Sequence, residues 1–203
     1  MSKEEKTEHS LIKDFPLTSL LSLYKGYDEQ VIDGSIIGIV HYKDTSKVSY
    51  YLNIPEVYNL FPTDVSFYWA AKPISFNSSY YGLHAIKINK QDIQSVFKSN
   101  MITHVKIESE LDKSYRIVIS LDSEGVKAWA KLTKENIGRN IAILYENLVY
   151  FSPKVTEEIL NGNIQITGGF SLTEAQDYTN LIKSGARGLP FKLRIVKEQI
   201  IYR

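Results

Sequence analysis

The sequence predicts an α+β fold built from two interleaved units, each a small sheet carrying helices. Three observations predict it. Val65, Phe67 and Trp69 alternate with Ser66 and Tyr68, the period of two that a half-buried strand requires. Around Trp129 and around Tyr178, apolar residues recur at the spacing of an amphipathic helix. The last helix and strand read as a return of the chain to its first unit.

Taken in order, the first ten residues, MSKEEKTEHS, are polar and aperiodic, and residues 1–14 read as a disordered tether. Residues 36–41, IIGIVH, suit a buried strand, and Asp44 is placed to cap a helix carrying Val48, Tyr51 and Leu52 on one face. The alternating strand at 65–69 lies between Pro62 and Pro73. A second unit begins near Leu83 and runs to about Gly169. In it, Asp92, Ile93, Val96 and Phe97 suggest a short helix. Val105 and Ile107, then Ile117, Ile119 and Leu121, suggest two strands paired across Asp112 to Ser114, with one wet face.

Ser123 is placed to cap the helix of Val126, Trp129, Ala130 and Thr133, and Gly138 supplies permissive backbone beyond its end. Residues 141–144 and 148–151 flank Tyr145, Glu146 and Asn147 as a hairpin. Ser171, Leu172, Thr173 and Glu174 form a capping box, followed by the buried stripe Ala175, Tyr178, Leu181 and Ile182 and by Gly185 as a stop. Phe191, Leu193 and Ile195 alternate as a last strand.

Composition narrows the function classes. With 203 residues, 43% of them hydrophobic, the chain buries a substantial core, and a net charge of +1 gives no bias toward nucleic acid or an anionic membrane. No apolar run reaches the roughly 18 residues of a spanning helix, and no charged, apolar and small-residue succession marks a signal peptide. The absence of cysteine excludes disulfides, thiolate catalysis and cysteine metal sites.

Catalytic constellations find no support. His9, His41, His84 and His104 are scattered, without a His-Glu-x-x-His pattern, and there is neither a Gly-x-Ser-x-Gly elbow nor a phosphate-binding glycine loop. Glu108 and Glu110 share a strand face that reads as solvated, and Gly168-Gly169 ahead of a capped helix reads as a corner. The expectation is a non-enzyme without cofactor or metal. The one compositional excess is aromatic, 14 Tyr, 8 Phe and 2 Trp, grouped as Tyr50-Tyr51, Phe67-Tyr68-Trp69 and Tyr80-Tyr81. Adjacent rings on a strand point to opposite faces, so each group either packs between layers or presents a ring for contact.

From Gly125 to Pro190 the chain resembles the large periplasmic domain of the SecD and SecDF protein-export family. The matching pieces are Trp129, Leu132-Thr133, Asn136 to Gly138, Ala142 to Leu144, Val149-Tyr150, Pro153 to Val155, Glu158-Ile159, Ile166 to Phe170 and Leu181 to Pro190. Upstream, Leu17 to Leu21, Gly38 to Tyr51, Leu52-Asn53, Pro62 to Trp69 and Ala85 to Lys87 resemble the fused Bacteroidetes form, so the likeness extends over about residues 15–200. It departs at Tyr145-Glu146-Asn147, at Phe151-Ser152 and in the corner at 184–190.

The resemblance implies two ferredoxin-like, split β-α-β subdomains: a base of residues 15–82 plus 171–203, with a head of residues 83–170 inserted between them. It implies a non-enzymatic module of the cell envelope or periplasm that binds secreted, unfolded or extended polypeptide, or an export-machinery partner. The family's proton-driven membrane helices are not expected in a chain ending at Arg203. The alternative is an adaptor or inhibitor that mimics the translocase domain to bind one folded partner. Ser2 to Glu5 resembles the start of a mature lipoprotein, which implies a lipid anchor if Met1 stands in place of its lipidated cysteine; a native Met1 implies the cytoplasm. The expected contact residues are Tyr80, Tyr81 and Phe151, near the base-head junction and at the hairpin where the chain leaves the family pattern.

Overall fold

The computed structural model describes residues 17–22, 36–75, 77–87, 99–186 and 194–197. The described elements, in chain order, are α1 (Leu17–Leu20), β1 (Ile36–His41), α2 (Thr45–Leu52), α3 (Pro55–Tyr58), β2 (Val65–Pro73), β3 (Tyr80–Lys87), β4 (Ile102–Ser109), β5 (Tyr115–Leu121), α4 (Ser123–Glu135), β6 (Ile141–Tyr145), β7 (Leu148–Phe151), β8 (Asn163–Phe170), α5 (Leu172–Ala186) and β9 (Arg194–Lys197). They form two sheets, one of six strands in the order β1-β3-β2-β7-β6-β9 and one of three in the order β4-β5-β8. The α+β class stands. Among the described residues, neither sheet has the four-stranded order of a ferredoxin-like unit.

Strand pairing cuts across the expected division at 82/83 and 170/171. β3 runs unbroken through Gly82 and Leu83, held between β1 and β2 by antiparallel pairing. The β6-β7 hairpin, expected in the head, lies inside the six-stranded sheet, with β7 parallel to β2 and β6 antiparallel to β9. The reason is in its sequence: Ile141 to Tyr145 is apolar at every position and buried at every position, which only an interior strand covered on both faces permits. Helix α5, expected on the base, packs against β4, β5 and β8. The tether, the helix near Ile93 and the residues before Arg194 in the last strand lie outside the described residues.

Local signals hold with small shifts. Asp122, not Ser123, is the N-cap of α4 and accepts from the Gly125 N–H at 2.7 Å. Asp44 precedes α2 without capping it; its carboxylate holds Lys47 at 3.0 Å instead. The 145–148 turn is a two-residue hairpin connection in which Glu146 (φ 48) and Asn147 (φ 64) both take the left-handed region, as the twist of the flanking strands demands. Gly138 is left-handed, as expected (φ 79). The capping box of α5 is reciprocal: the Glu174 N–H donates to Ser171 Oγ at 3.3 Å, and the Ser171 N–H donates to Glu174 Oε2 at 3.1 Å. α5 runs one residue past Gly185.

The largest core cluster packs Val105, Ile117, Ile119, Ile164 and Ile166 of the small sheet against Trp129 and Leu132 of α4 and Ala175, Tyr178 and Ile182 of α5. Ile141 and Ile143 of β6 belong to it as well. The alternate residues of β6, Ala142 and Leu144, pack instead with Ile86 and Val149 in a second cluster, against which Tyr68 lies. A third cluster, Val40, Val48, Leu52 and Leu83, joins β1 and β3 to α2, with Phe67 and Trp69 packed against it. β2 is therefore covered on both faces, not one.

Ile143→Ala and Leu144→Ala, which open cavities on opposite sides of one strand, should each cost about 2–5 kcal/mol. Both should lower a single cooperative urea transition, because β6 serves both clusters. Two resolved transitions, each sensitive to only one of the substitutions, would show that the sheets melt independently.

Candidate functional site

Two separate groups of aromatic side chains lie near the end of β2. One is an exposed group where β1 ends and β3 begins. Tyr80 lies opposite His41 in the sheet, and its ring meets the His41 imidazole edge-on at 5.4 Å. His41 also lies 4.7 Å from the ring of Tyr42, which is 52% exposed. Lys43 Nζ stands 5.8 Å over the Tyr42 ring. Tyr81 is half-buried, facing Val40 on one side and Pro73 on the other.

The second group is half-buried and lines the N-terminal half of α5. Phe151 packs 4.7 Å from Tyr178 and 6.0 Å from Phe170, and Tyr178 also meets Tyr150 at 6.2 Å. Burial, with Tyr145, Glu146 and Tyr178 close by, pushes the Tyr150 hydroxyl above its ordinary pKa, so this phenol stays neutral and polar-tipped.

Lys72 joins the groups. It precedes Pro73, the partner of Tyr81, and sends its ammonium 4.5 Å over the Tyr178 ring and 3.0 Å from Glu174 Oε1. Burial works against the Lys72 charge, but the Tyr178 hydroxyl and Glu174 outweigh it and raise the pKa. Glu174 is held down to about 2, first by the Ser171 N–H, then by Lys72 and the Ser171 hydroxyl. One carboxylate thus caps α5 and ties that helix to the six-stranded sheet.

The structure therefore brings Phe151 into the α5 group and Tyr80 into the β1-β3 group, and it places Tyr81 at the strand end between them. Among the described residues, the ring contacts of Phe151 are to Tyr150, Phe170 and Tyr178, not to Tyr80. Lys72, Tyr178, Phe170, His41 and Tyr42 were not singled out as contacts in the sequence. A strand lysine meeting a helix carboxylate 102 positions away leaves no local signal. Glu108 and Glu110, the strand carboxylates, are spoken for: Glu108 accepts from Arg116 at 2.7 Å and holds Lys106 at 2.6 Å, and Glu110 accepts from the Ser114 hydroxyl at 3.0 Å. His84 is buried in β3 and His104 is exposed on β4. Among the described residues, no three His, Asp or Glu side chains converge as a metal site would require.

The described residues form a two-sheet α+β fold with helices covering the small sheet. The chain belongs to the SecDF family: the family model described as "SecDF, P1 head subdomain" matches residues 84–189. The protein translocase subunit SecD of Rhodothermus marinus is 32% identical over 173 residues, which is 85% of this chain and 27% of that protein. SecD of Leptotrichia buccalis is 40% identical over 85 residues, 42% of this chain and 20% of that protein. The chain thus spans about a quarter or less of the relatives' length. A solved structure described as a membrane component SecDF that enhances protein export overlays at a TM-score of 0.42 with 23% identity, covering 48% of this chain and 44% of that one. No helix among the described residues is long and apolar enough to cross a membrane.

The Glu174 contact predicts a pH dependence with a definite sign. Its folded pKa of about 2 lies below the ordinary 4.5, so its contribution is fully present above about pH 4.5 and is lost as the pH falls toward 2. Both partners are about half exposed, which limits the ion pair to ~1 kcal/mol or less. Glu174→Gln should flatten the stability profile between pH 4.5 and 2 relative to wild type, measured by urea titration at each pH. An unchanged slope would show that Glu174 titrates normally.

Proposed function

We propose that this chain is a non-enzymatic polypeptide-handling domain of the cell envelope. It holds secreted or extended polypeptide transiently for an export machinery, or docks on a component of that machinery, through the aromatic groups at the end of β2. The observation that carries this reading is family membership together with the likeness to SecD across most of the chain. The surface chemistry supports it. Tyr80 and Tyr42 present amphipathic rings to solvent, and the half-buried Tyr150 and Phe151 pack on the buried Tyr178 beside a fixed ammonium. Rings of this kind grip apolar side chains and backbone with little loss of rotamer entropy, and so suit contacts with many sequences.

Transient holding requires micromolar or weaker affinity, about 8 kcal/mol of binding free energy or less. Tyr80→Ala, Tyr81→Ala and Phe151→Ala together should weaken binding of a reduced, unfolded secretory protein, measured by fluorescence anisotropy. Because Phe151 also packs on Tyr178, its separate replacement by Leu checks that lost affinity is not lost folding. If the wild type binds no unfolded chain but captures one folded envelope protein, the adaptor reading replaces this one.

A further inference from the structure

The backbone of β4 points to where an extended chain is held. The Glu110 N–H donates to the Ser114 carbonyl at 2.8 Å, which sets 110 opposite 114 at a hydrogen-bonding position of the β4-β5 ladder. Stepping back by two, Glu108 with Arg116 and Lys106 with Val118 are bonded pairs too. On the other side of β5, the Leu121 N–H donates to the Gly162 carbonyl, which sets the complementary phase toward β8. The N–H and C=O of Val105, Ile107 and Ser109 therefore point away from β5, along an edge where no described strand follows. Among the described residues, none of these three has a backbone partner.

We propose that this edge binds an extended polypeptide segment by strand addition, and the inference rests on the polypeptide-handling reading above. Three donors and three acceptors in strand spacing match the main chain of any sequence except proline, which is the tolerance that handling many substrates requires. Side-chain placement favours segments with alternating apolar residues. Val105 and Ile107 face the core beneath β4, where α5 packs, so a strand laid alongside sets its alternate residues against that margin. On the opposite face Lys106, Glu108 and Arg116 already neutralise one another in a linked set, so that side imposes no strong charge preference. A second copy is the weaker occupant. Three outward residues support a short self-pairing, well under the roughly 1,000 Å² that a stable interface buries.

The test uses the whole chain and an end-capped heptapeptide of alternating threonine and valine, with its backbone N-methylated counterpart as control. Amide exchange followed by nuclear magnetic resonance should slow at Val105, Ile107 and Ser109 with the first peptide and not with the second. Ser109 is exposed and its N–H is outward, so Ser109→Pro removes one docking donor without touching the β4-β5 ladder. It should weaken binding about tenfold, whereas Gln165→Pro on the opposite edge should leave it unchanged. Peptide binding that is equal for both peptides, or unaffected by Ser109→Pro, overturns the edge inference while leaving polypeptide handling intact. Protection of the three amides that grows with protein concentration, without peptide, assigns the edge to a second copy and overturns it too. Failure of the wild type to bind any peptide or unfolded protein removes both readings.

Discussion

The architecture depends on burying one five-residue strand on both faces. β6 offers Ile141 and Ile143 to one side and Ala142 and Leu144 to the other, all at 3% exposure or less, and the two sides belong to different clusters. A strand that is apolar throughout cannot sit on a half-wet sheet without exposing one of its sides, so it takes an interior place between β7 and β9. That placement forces the chain to leave the small sheet after α4, cross into the large sheet for a hairpin, and return for β8. The crossing ties the two sheets through a shared core: Trp129, Leu132, Ala175, Tyr178 and Ile182 of the helices covering β4, β5 and β8 belong to the same cluster as Ile141 and Ile143 of β6.

Local chemistry made much of this legible. The hairpin turn, the capping box at Ser171 and Glu174, the buried Trp129 and the alternation in β4 and β5 are all set by neighbours within a few residues, where the sequence carries the information. Sheet membership was not legible in this way. The apolar run at 141–145 announced burial, but burial on both faces is compatible with either sheet until the partners of β2 and β9 are known. The same limit holds for α5: its stripe of Ala175, Tyr178 and Ile182 states that one face is covered, not by what.

The candidate site shows the same limit. Phe151, expected as a contact at the hairpin where the chain leaves the family pattern, meets an aromatic neighbourhood formed with Phe170 and Tyr178 from later in the chain. Tyr80, expected near the base-head junction, is exposed, and its ring partner is His41 on the neighbouring strand. Lys72 joins the two groups, and a solitary lysine before a proline at a strand end gives no hint of that. Contacts between distant segments are written in the fold rather than in any window of residues.

The two surfaces differ in what they can recognise. As proposed, the aromatic groups at the end of β2 would discriminate by side chain, since rings reward apolar or aromatic residues wherever they fall. The proposed β4 edge would read main chain and reject only what cannot extend. A folded protein has its backbone groups already paired and offers little to such an edge, whereas an unfolded chain offers them everywhere. An edge and a ring shelf on one molecule would therefore favour unfolded over folded chains twice over, by unpaired backbone and by exposed apolar side chains. Neither criterion requires a specific sequence, which is the selectivity for state over identity that the proposed handling of many chains would need.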